Sequence, residues 1–417
     1  MTSTGSNLQT NGERLWDALM EMARIGPGVA GGNNRQTLTD EDGEARHLLR
    51  RWCEAAGLTM SVDTMGNMFF RREGEEPALP PVYMGSHLDT QPTGGRFDGV
   101  LGVIGALEAV RTLDDFGIRT RHPIVVVNWT NEEGTRFAPA MLGSGVFVGV
   151  EEEAAAKNRT DAKGKRFGDE LERIGWAGEE PVGLGRPIHA LFELHIEQGP
   201  ILEEEGIEVG VVTHGQGLYW LEVTLTGCDA HTGSTPMARR RDAGLGMARI
   251  VELVHETAMA FQPDAVGAVG HVEVRPNSRN VVPGQVVLTL DIRSPDAETL
   301  DAMRERIEAG IHGIAEALGL AAAVDEVGHF APVAFDETCV SAVRAAADRL
   351  GFSHRDIVSG AGHDACWINR IAPTAMIFTP CVGGLSHNEA EDISKEWAKA
   401  GTDVLLQAVV EAAQIVE

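Results

Sequence analysis

The segment GSHLDTQPTGGRFDGVLG, residues 85–102, surrounds a glycine-rich bend with one imidazole and two carboxylates. His87 and Asp89 follow a short apolar run, and Asp98 precedes an apolar stretch with helical spacing. A bend between a strand and a helix needs glycine for its backbone angles, but it needs neither an imidazole nor acids. We therefore expect a cation to be held at the end of this strand.

Three other segments carry the same residue types where an apolar run ends or a loop begins. Glu132 and Glu133 follow PIVVVNW, His195 lies near the end of HALFELHI, and His387 lies in GGLSHNEAE. Each residue alone has a simpler explanation, because a histidine can be a hydrogen-bonding residue and Asp98 could be a helix N-cap. Their repeated occurrence at strand ends favours a shared site.

Three imidazoles and two carboxylates suit zinc or a similar divalent ion. Five side chains are more than one tetrahedral ion uses if it also binds water. With one bridging carboxylate they could hold two ions roughly 3.5–4 Å apart with a shared hydroxide. The predicted ligands are His87, Asp98, Glu133, His195 and His387.

Strand-like and helix-like segments alternate in the first and last parts of the chain. This alternation predicts a mainly parallel sheet flanked by helices, with ligands gathered at the carboxyl ends of the strands. Residues 216–330 instead follow the order β-α-β-β-α-β, which is typical of a ferredoxin-like unit. We predict an α/β protein with a discontinuous domain, residues 1–215 and 331–417, and an inserted domain, residues 216–330.

Composition narrows the possible partners of the 417-residue chain. A formal net charge of −27 argues against a nucleic-acid or anionic-membrane surface. Five scattered cysteines without a CxxC motif fit a reducing compartment, and no apolar run approaches the ~18 residues of a membrane span. With a polar N-terminus, these features predict a cytoplasmic protein.

From about residue 13 onward, the motifs resemble those of the amidase/hydantoinase/carbamoylase branch of the M20 metallopeptidases. The motifs are GSHLDTQPTGGRFDGVLG, NEEGTRF, HIEQGP, DAHTGSTPM, RPNSRNVVPG, SGAGHDA and GGLSHNEAE. The resemblance implies a di-metal catalytic domain and an inserted dimerisation or lid domain. It further implies zinc, with manganese, cobalt or nickel as alternatives.

Carried onto this sequence, the resemblance makes Asp98 the bridging ligand of two metal ions. His87 and His195 complete one ion's ligands, and Glu133 and His387 complete the other's. Glu132 becomes the general base, which takes a proton from the attacking water and gives it to the leaving nitrogen. Asp89 would orient the His87 imidazole through its carboxylate.

The resemblance also assigns residues to the substrate. His231 would stabilise an oxyanion in the site of a neighbouring subunit of a homodimer. Arg293 would bind the substrate's α-carboxylate as a bidentate fork, and Asn280 would also contact the substrate. Further polar contacts are expected from Gln198, Gly360 and Gly362. His363 is expected only as a hydrogen-bonding neighbour.

The predicted function is metal-dependent hydrolysis of N-carbamoyl-L-amino acids, a small-molecule substrate class, to the amino acid, carbon dioxide and ammonia. Allantoate amidohydrolase and β-ureidopropionase are alternatives that use the same site. NEEGTRF, in place of a peptidase-like DEEG, favours this branch over dipeptidases. A non-catalytic binding protein is a third alternative, which the intact Glu132 and ligand set disfavour.

Overall fold

The computed structural model of the chain describes residues 8–183 and 185–416. The chain divides into two compact units, Met1–Thr213 with Phe335–Glu417 and His214–Ala334. The second unit contains the predicted insertion, residues 216–330.

Among its described residues, the part of the first unit that precedes the second has seven helices and seven strands, and the last strand extends to Gly215. In chain order they are α1 (Gly12–Met22), α2 (Asp40–Ala55), β1 (Thr59–Val62), β2 (Met68–Arg72), β3 (Val82–His87), α3 (Val100–Asp115), β4 (Arg119–Thr120), β5 (Ile124–Trp129), α4 (Leu142–Phe147), α5 (Glu153–Lys157), α6 (Phe167–Arg173), β6 (Ala190–Ile196), α7 (Ile201–Glu205) and β7 (Val209–Gly215).

The second unit and the returning part of the first follow in sequence. The second unit contains β8 (Gly217–Thr226), β9 (Ala230–His231), α8 (Ala243–Ala260), β10 (Val266–Arg275), β11 (Val281–Val282), β12 (Gln285–Ser294), α9 (Ala297–Leu318), β13 (Ala321–Phe330) and β14 (Val333–Ala334). The first unit then adds α10 (Glu337–Leu350), β15 (His354–Ser359), α11 (Asp364–Ile368), β16 (Thr374–Thr379), α12 (Lys395–Ala413) and β17 (Ile415–Val416).

The large sheet has four parallel strands at its centre, in the order β5-β3-β6-β16. All four are buried along their whole length, which explains why their sequences are mostly apolar. The prediction of a mixed α/β fold with a large, mainly parallel sheet is confirmed. The sequence did not predict the antiparallel flanks, where β2 pairs with β5 and β7 pairs with β16.

Helix α3 begins directly after the glycine-rich bend. Almost all of its residues are buried, as expected for a helix that is apolar on every side. Gly99 occupies its N-cap position, and no side chain of the described residues caps the helix there. Asp98 is therefore not the N-cap, and its carboxylate serves another purpose.

The second unit runs β8, α8, β10, β12, α9, β13, and these four strands form an antiparallel sheet in the order β10-β12-β8-β13. Every second residue of β12 is buried, so one face of the sheet packs against the helices. The core of this unit includes Leu221, Val223, Ile250 and Ile307. Its predicted role in dimerisation stays a prediction. Across both units, the described helices include none with the length and apolar character needed to cross a membrane.

Candidate metal centre

The predicted ligands converge at the carboxyl ends of the central parallel strands. His87 is the last residue of β3, and His195 is the penultimate residue of β6. Glu133 follows β5, and His387 lies in the loop between β16 and α12. Parallel neighbours end at the same edge of a sheet, so residues far apart in sequence meet there.

Asp98 lies at the centre of this group. Its Oδ1 is 3.1 Å from His195 Nε2 and 3.8 Å from His87 Nε2. Its other oxygen, Oδ2, is 3.6 Å from the Nε2 atom of His387, and that same nitrogen is 3.4 Å from Glu133 Oε2. Two triads therefore share Asp98, and within each triad the potential ligand atoms lie within 4.8 Å of one another.

Backbone carbonyls fix the tautomers of two imidazoles. His87 Nδ1 is 2.9 Å from the backbone oxygen of Asp89, and His195 Nδ1 is 2.9 Å from that of Ile196. Because a carbonyl can only accept, each Nδ1 carries a proton, and Nε2 is the ring nitrogen that faces Asp98 in both histidines. The buried Nε2 of His87 has no hydrogen-bond partner among the described residues. A lone pair facing a buried carboxylate fits a bound divalent cation.

The pKa values of the two histidines differ because they lie at different distances from Asp98. Burial lowers the pKa of His87 to about 4, and the more distant Asp98 only partly opposes this effect. Burial also disfavours the charged form of His195, but the close Asp98 carboxylate raises its pKa to about 9. Although burial opposes ionisation of Asp98, the facing imidazoles hold its pKa well below the usual range.

The carboxylates of this edge repel one another. Burial raises the pKa of Glu132 well above its ordinary value, and the charges of Asp364 and Glu133 raise it further. Burial and the charge of Asp98 do the same to the pKa of Glu133. Divalent ions among these groups would relieve the repulsion and keep the acids ionised.

Asp89 contacts His87 through its backbone as well as its side chain, and the orienting role of its carboxylate stays a prediction. The backbone oxygen of Asp89 accepts the His87 proton, while its carboxylate Oδ1 lies 3.7 Å from that nitrogen. The carboxylate accepts the backbone N–H groups of Glu132 and Glu133, at 3.3 and 3.2 Å. The strand ends at His87, and the irregular segment that follows places the Asp89 carboxylate against the backbone of the loop after β5.

Three neutral side chains hold the predicted ligands. Gln198, predicted to contact substrate, donates from Nε2 to Asp98 Oδ2 at 2.8 Å. Ser386 donates to the same oxygen at 2.8 Å, and Gln91 donates to Glu133 Oε2 at 2.6 Å. The sequence prediction missed Ser386 and Gln91, although both lie inside the quoted motifs and Ser386 directly precedes His387.

Three non-glycine residues at this edge have left-handed backbone conformations. Their φ values are 63° for Asn131, 59° for Gln198 and 53° for His387. Such conformations are uncommon for residues with a side chain and concentrate at functional sites. No sequence pattern predicted them.

His363 is buried beside the cluster, with Nε2 3.0 Å from Ser359 Oγ and its ring centroid 4.5 Å from that of His195. Burial and the neighbouring His195 lower its pKa well below the ordinary value, so it is a neutral hydrogen-bonding residue. Gly360 and Gly362 lie in the exposed loop before it.

The substrate residues predicted in the second unit are arranged as follows. His231 is exposed in the short strand β9. Its Nδ1 accepts the backbone N–H groups of Gly233 and Ser234, both at 3.1 Å, which places its proton on Nε2. The Asn280 backbone oxygen accepts from Thr232 at 3.2 Å.

Arg293 is half-buried on β12 and already holds a carboxylate within the chain. Its Nε and Nη2 donate to the two oxygens of Asp291 at 2.9 and 2.7 Å. These hydrogen bonds raise the pKa of Arg293 and keep its planar guanidinium fork in one orientation.

A mainly parallel sheet with an imidazole–carboxylate cluster at its carboxyl edge is the arrangement of a metal-binding α/β protein. Residues 83–411 match the model of peptidase family M20/M25/M40, and the chain belongs to this family. M20 hydrolases are metal-dependent, in agreement with the two candidate triads.

Similar proteins indicate which branch of the M20 family the chain resembles. The chain is 65% identical to the N-carbamoyl-L-amino-acid amidohydrolase of Rhizobium meliloti over 417 residues, with 100% of both chains covered. The structure of a hydantoinase/carbamoylase family amidase from Burkholderia multivorans matches with a TM-score of 0.95 and 54% identity, covering 97% of this chain and 98% of that one. A more distant relative is the ureidoglycolate hydrolase of Arabidopsis thaliana, 33% identical, with 96% and 86% covered. The predicted resemblance to the amidase/hydantoinase/carbamoylase branch is confirmed.

Proposed function

We propose that the chain hydrolyses N-carbamoyl-L-amino acids, releasing the amino acid, carbon dioxide and ammonia. The observation that carries this proposal is the pair of ligand triads that share Asp98, with Glu132 beside them. The substrate class is supported by the 65% identical amidohydrolase.

His87 and His195 would bind one divalent ion, and Glu133 and His387 would bind a second. Asp98 would be a ligand of both ions. Zinc is the ion proposed, with manganese, cobalt or nickel as alternatives. Bound there, the ions would polarise the ureido carbonyl and make the attacking water more acidic.

Glu132 is the proposed general base. Its carboxylate is buried, and Oε2 lies 3.5 Å from His87 Nε2, beside the cluster. It would take a proton from water as the oxygen adds to the carbonyl carbon. It would then give that proton to the terminal nitrogen as the carbon–nitrogen bond breaks and ammonia leaves. The remaining carbamate loses carbon dioxide and yields the free amino acid.

Gln198 and Arg293 are two of the proposed substrate contacts. The buried Oε1 of Gln198 has no hydrogen-bond partner among the described residues, so it could accept from a ureido N–H group. Arg293, held by Asp291, would bind the α-carboxylate within an otherwise acidic protein. Asn280, Gly360 and Gly362 are proposed as additional contacts.

His231 is proposed to stabilise the oxyanion, and the proton on its Nε2 makes it a suitable donor. This role requires the homodimer proposed from the resemblance, in which His231 serves the neighbouring subunit. A cytoplasmic location is proposed as well, since all five cysteines are free.

A second candidate is hydrolysis of a related ureido acid, such as allantoate, ureidoglycolate or N-carbamoyl-β-alanine. The 33% identical ureidoglycolate hydrolase supports this alternative. These substrates contain the same ureido group and a carboxylate, so the same residues could act on them.

Ammonia release from a substrate panel tests the proposal. N-carbamoyl-L-α-amino acids should be cleaved faster than allantoate, ureidoglycolate, N-carbamoyl-β-alanine and the carbamoyl-amino-acid amides, which lack the carboxylate. Chelation should abolish activity, and added divalent ions should restore it. Metal-independent turnover, or fewer than about two ions per active chain at saturating metal, would contradict the two-metal arrangement. Absence of turnover on all these substrates would favour the non-catalytic alternative.

A further inference from the structure

Glu391 is a buried acid that the sequence analysis did not select. It follows His387 in the loop before α12, and its side chain is almost entirely shielded from solvent. One oxygen, Oε1, accepts two backbone N–H groups, from Phe97 at 2.9 Å and from Asp98 at 3.1 Å. A single carboxylate thus connects the His387 loop with the backbone of the residue that joins the two triads.

The surrounding contacts make this connection tight. A Cβ atom at Gly95 would lie 1.9 Å from Glu391 Cδ, so the backbone of the glycine-rich bend packs directly against the carboxyl group. The next residue, Arg96, forms an ion pair with Asp392 at 2.8 Å. Residues 95–98 therefore contact residues 391–392 through packing, an ion pair and hydrogen bonds at successive positions.

The chemistry of this position argues against a purely space-filling role. A buried acid beside Asp98 is electrostatically unfavourable, and an apolar side chain would avoid that cost. Only an acceptor of sufficient length satisfies both N–H groups of the bend. The benefit of Glu391 therefore lies in where it holds the backbone of Asp98.

We propose that Glu391 is a positioning residue that sets the spacing between Asp98 and His387 and thereby the affinity of the second metal site. The inference rests on the proposed metal assignment. It assigns Glu391 no contact with substrate and no proton transfer. Its role is the hydrogen-bonded geometry of the bend, and the charge of its carboxylate is not required.

Three substitutions separate hydrogen-bonding reach from charge. Glu391→Ala removes the acceptor, and Glu391→Asp keeps the charge but shortens the side chain by one methylene. Glu391→Gln keeps an oxygen at the same reach without the charge. The matched control is Asp336→Ala, because Asp336 Oδ1 also accepts two backbone N–H groups, from Thr338 and Cys339, but at the start of α10.

Binding of zinc and of cobalt to metal-free protein is measured by titration and elemental analysis, together with the cobalt absorption spectrum. Glu391→Ala and Glu391→Asp should weaken the second site by roughly 10–100-fold, so that bound metal falls from about two ions per chain toward one. Glu391→Gln should stay within about threefold of wild type. The decrease in kcat should exceed any change in KM.

The control should lower the melting temperature of the metal-free protein and leave metal binding unchanged. If Glu391→Ala binds both ions as wild type does, the inference is wrong. It is also wrong if Glu391→Asp binds both ions as wild type does while Glu391→Gln does not. A wild-type chain that binds fewer than two ions would instead overturn the proposed two-metal site, so the two failures are distinguishable.

Discussion

Glu132 and Glu133 are adjacent in sequence but contact different histidines. Glu132 Oε2 lies 3.5 Å from His87 Nε2, whereas Glu133 Oε2 lies 3.4 Å from His387 Nε2. The backbone N–H groups of both residues are held by the single carboxylate of Asp89. One short loop can therefore provide a base to one side of the cluster and a ligand to the other.

This arrangement predicts that the same substitution at these two neighbouring positions affects different properties, the turnover rate at one and the bound metal at the other. Glu132→Gln should lower kcat by about 100-fold or more, because a general base is lost, while bound metal stays near the wild-type amount. Glu133→Gln should lower bound metal, because a carboxylate ligand is lost. Elemental analysis and steady-state kinetics of both variants check this. Loss of metal from Glu132→Gln would contradict its assignment as the base.

At the scale of elements, the start of α3 depends on a glycine. Gly99 has a φ of 68°, and a Cβ atom there would lie 2.3 Å from Nε2 and Cε1 of His87. The helix can thus begin directly against the imidazole only because this position has no side chain.

Gly99→Ala should therefore displace His87 and weaken metal binding, in addition to a backbone cost of about 1–2 kcal/mol. Gly117→Ala is the matched control, since Gly117 has a φ of 63° but no atom of the described part of the chain lies within 4 Å of the point that a Cβ would occupy. Thermal unfolding should show a loss of stability in both variants. Metal titration should show weaker binding only in Gly99→Ala; equal binding in the two would argue against the role of Gly99.

At the scale of the whole molecule, the proposed homodimer can be tested through its shared site. Neither His231→Ala nor Glu132→Gln protein should be active alone. A mixed dimer would contain one complete site, with Glu132 from one chain and His231 from the other. Random re-pairing of equal amounts should restore roughly a quarter of wild-type activity.

Mass measurement provides the control by showing that subunits have exchanged. Activity at background after confirmed exchange would mean that His231 acts within its own chain or has no role in catalysis. Activity of His231→Ala alone at the wild-type level would exclude a catalytic role for His231 without any mixing.

The sequence alone determined the parallel strands and the residues at their ends. Apolar runs such as that of β5 are typical of strands buried on both faces, and polar residues that follow parallel strands of this kind emerge at one edge of the sheet. This is why His87, Asp98, Glu133, His195 and His387 could be selected from residue type and position in the chain. Membership of the M20 family followed from the motifs around them.

Only the tertiary structure decided how these residues are held. Asp89 acts on His87 through its backbone oxygen, Gln198 donates to Asp98, and Glu391 accepts from a backbone almost 300 positions away in sequence. The antiparallel flanks of the sheet also came only from the structure. Sequence patterns record which side chains avoid water, but the partner of a hydrogen bond depends on distances that arise when the whole chain has packed.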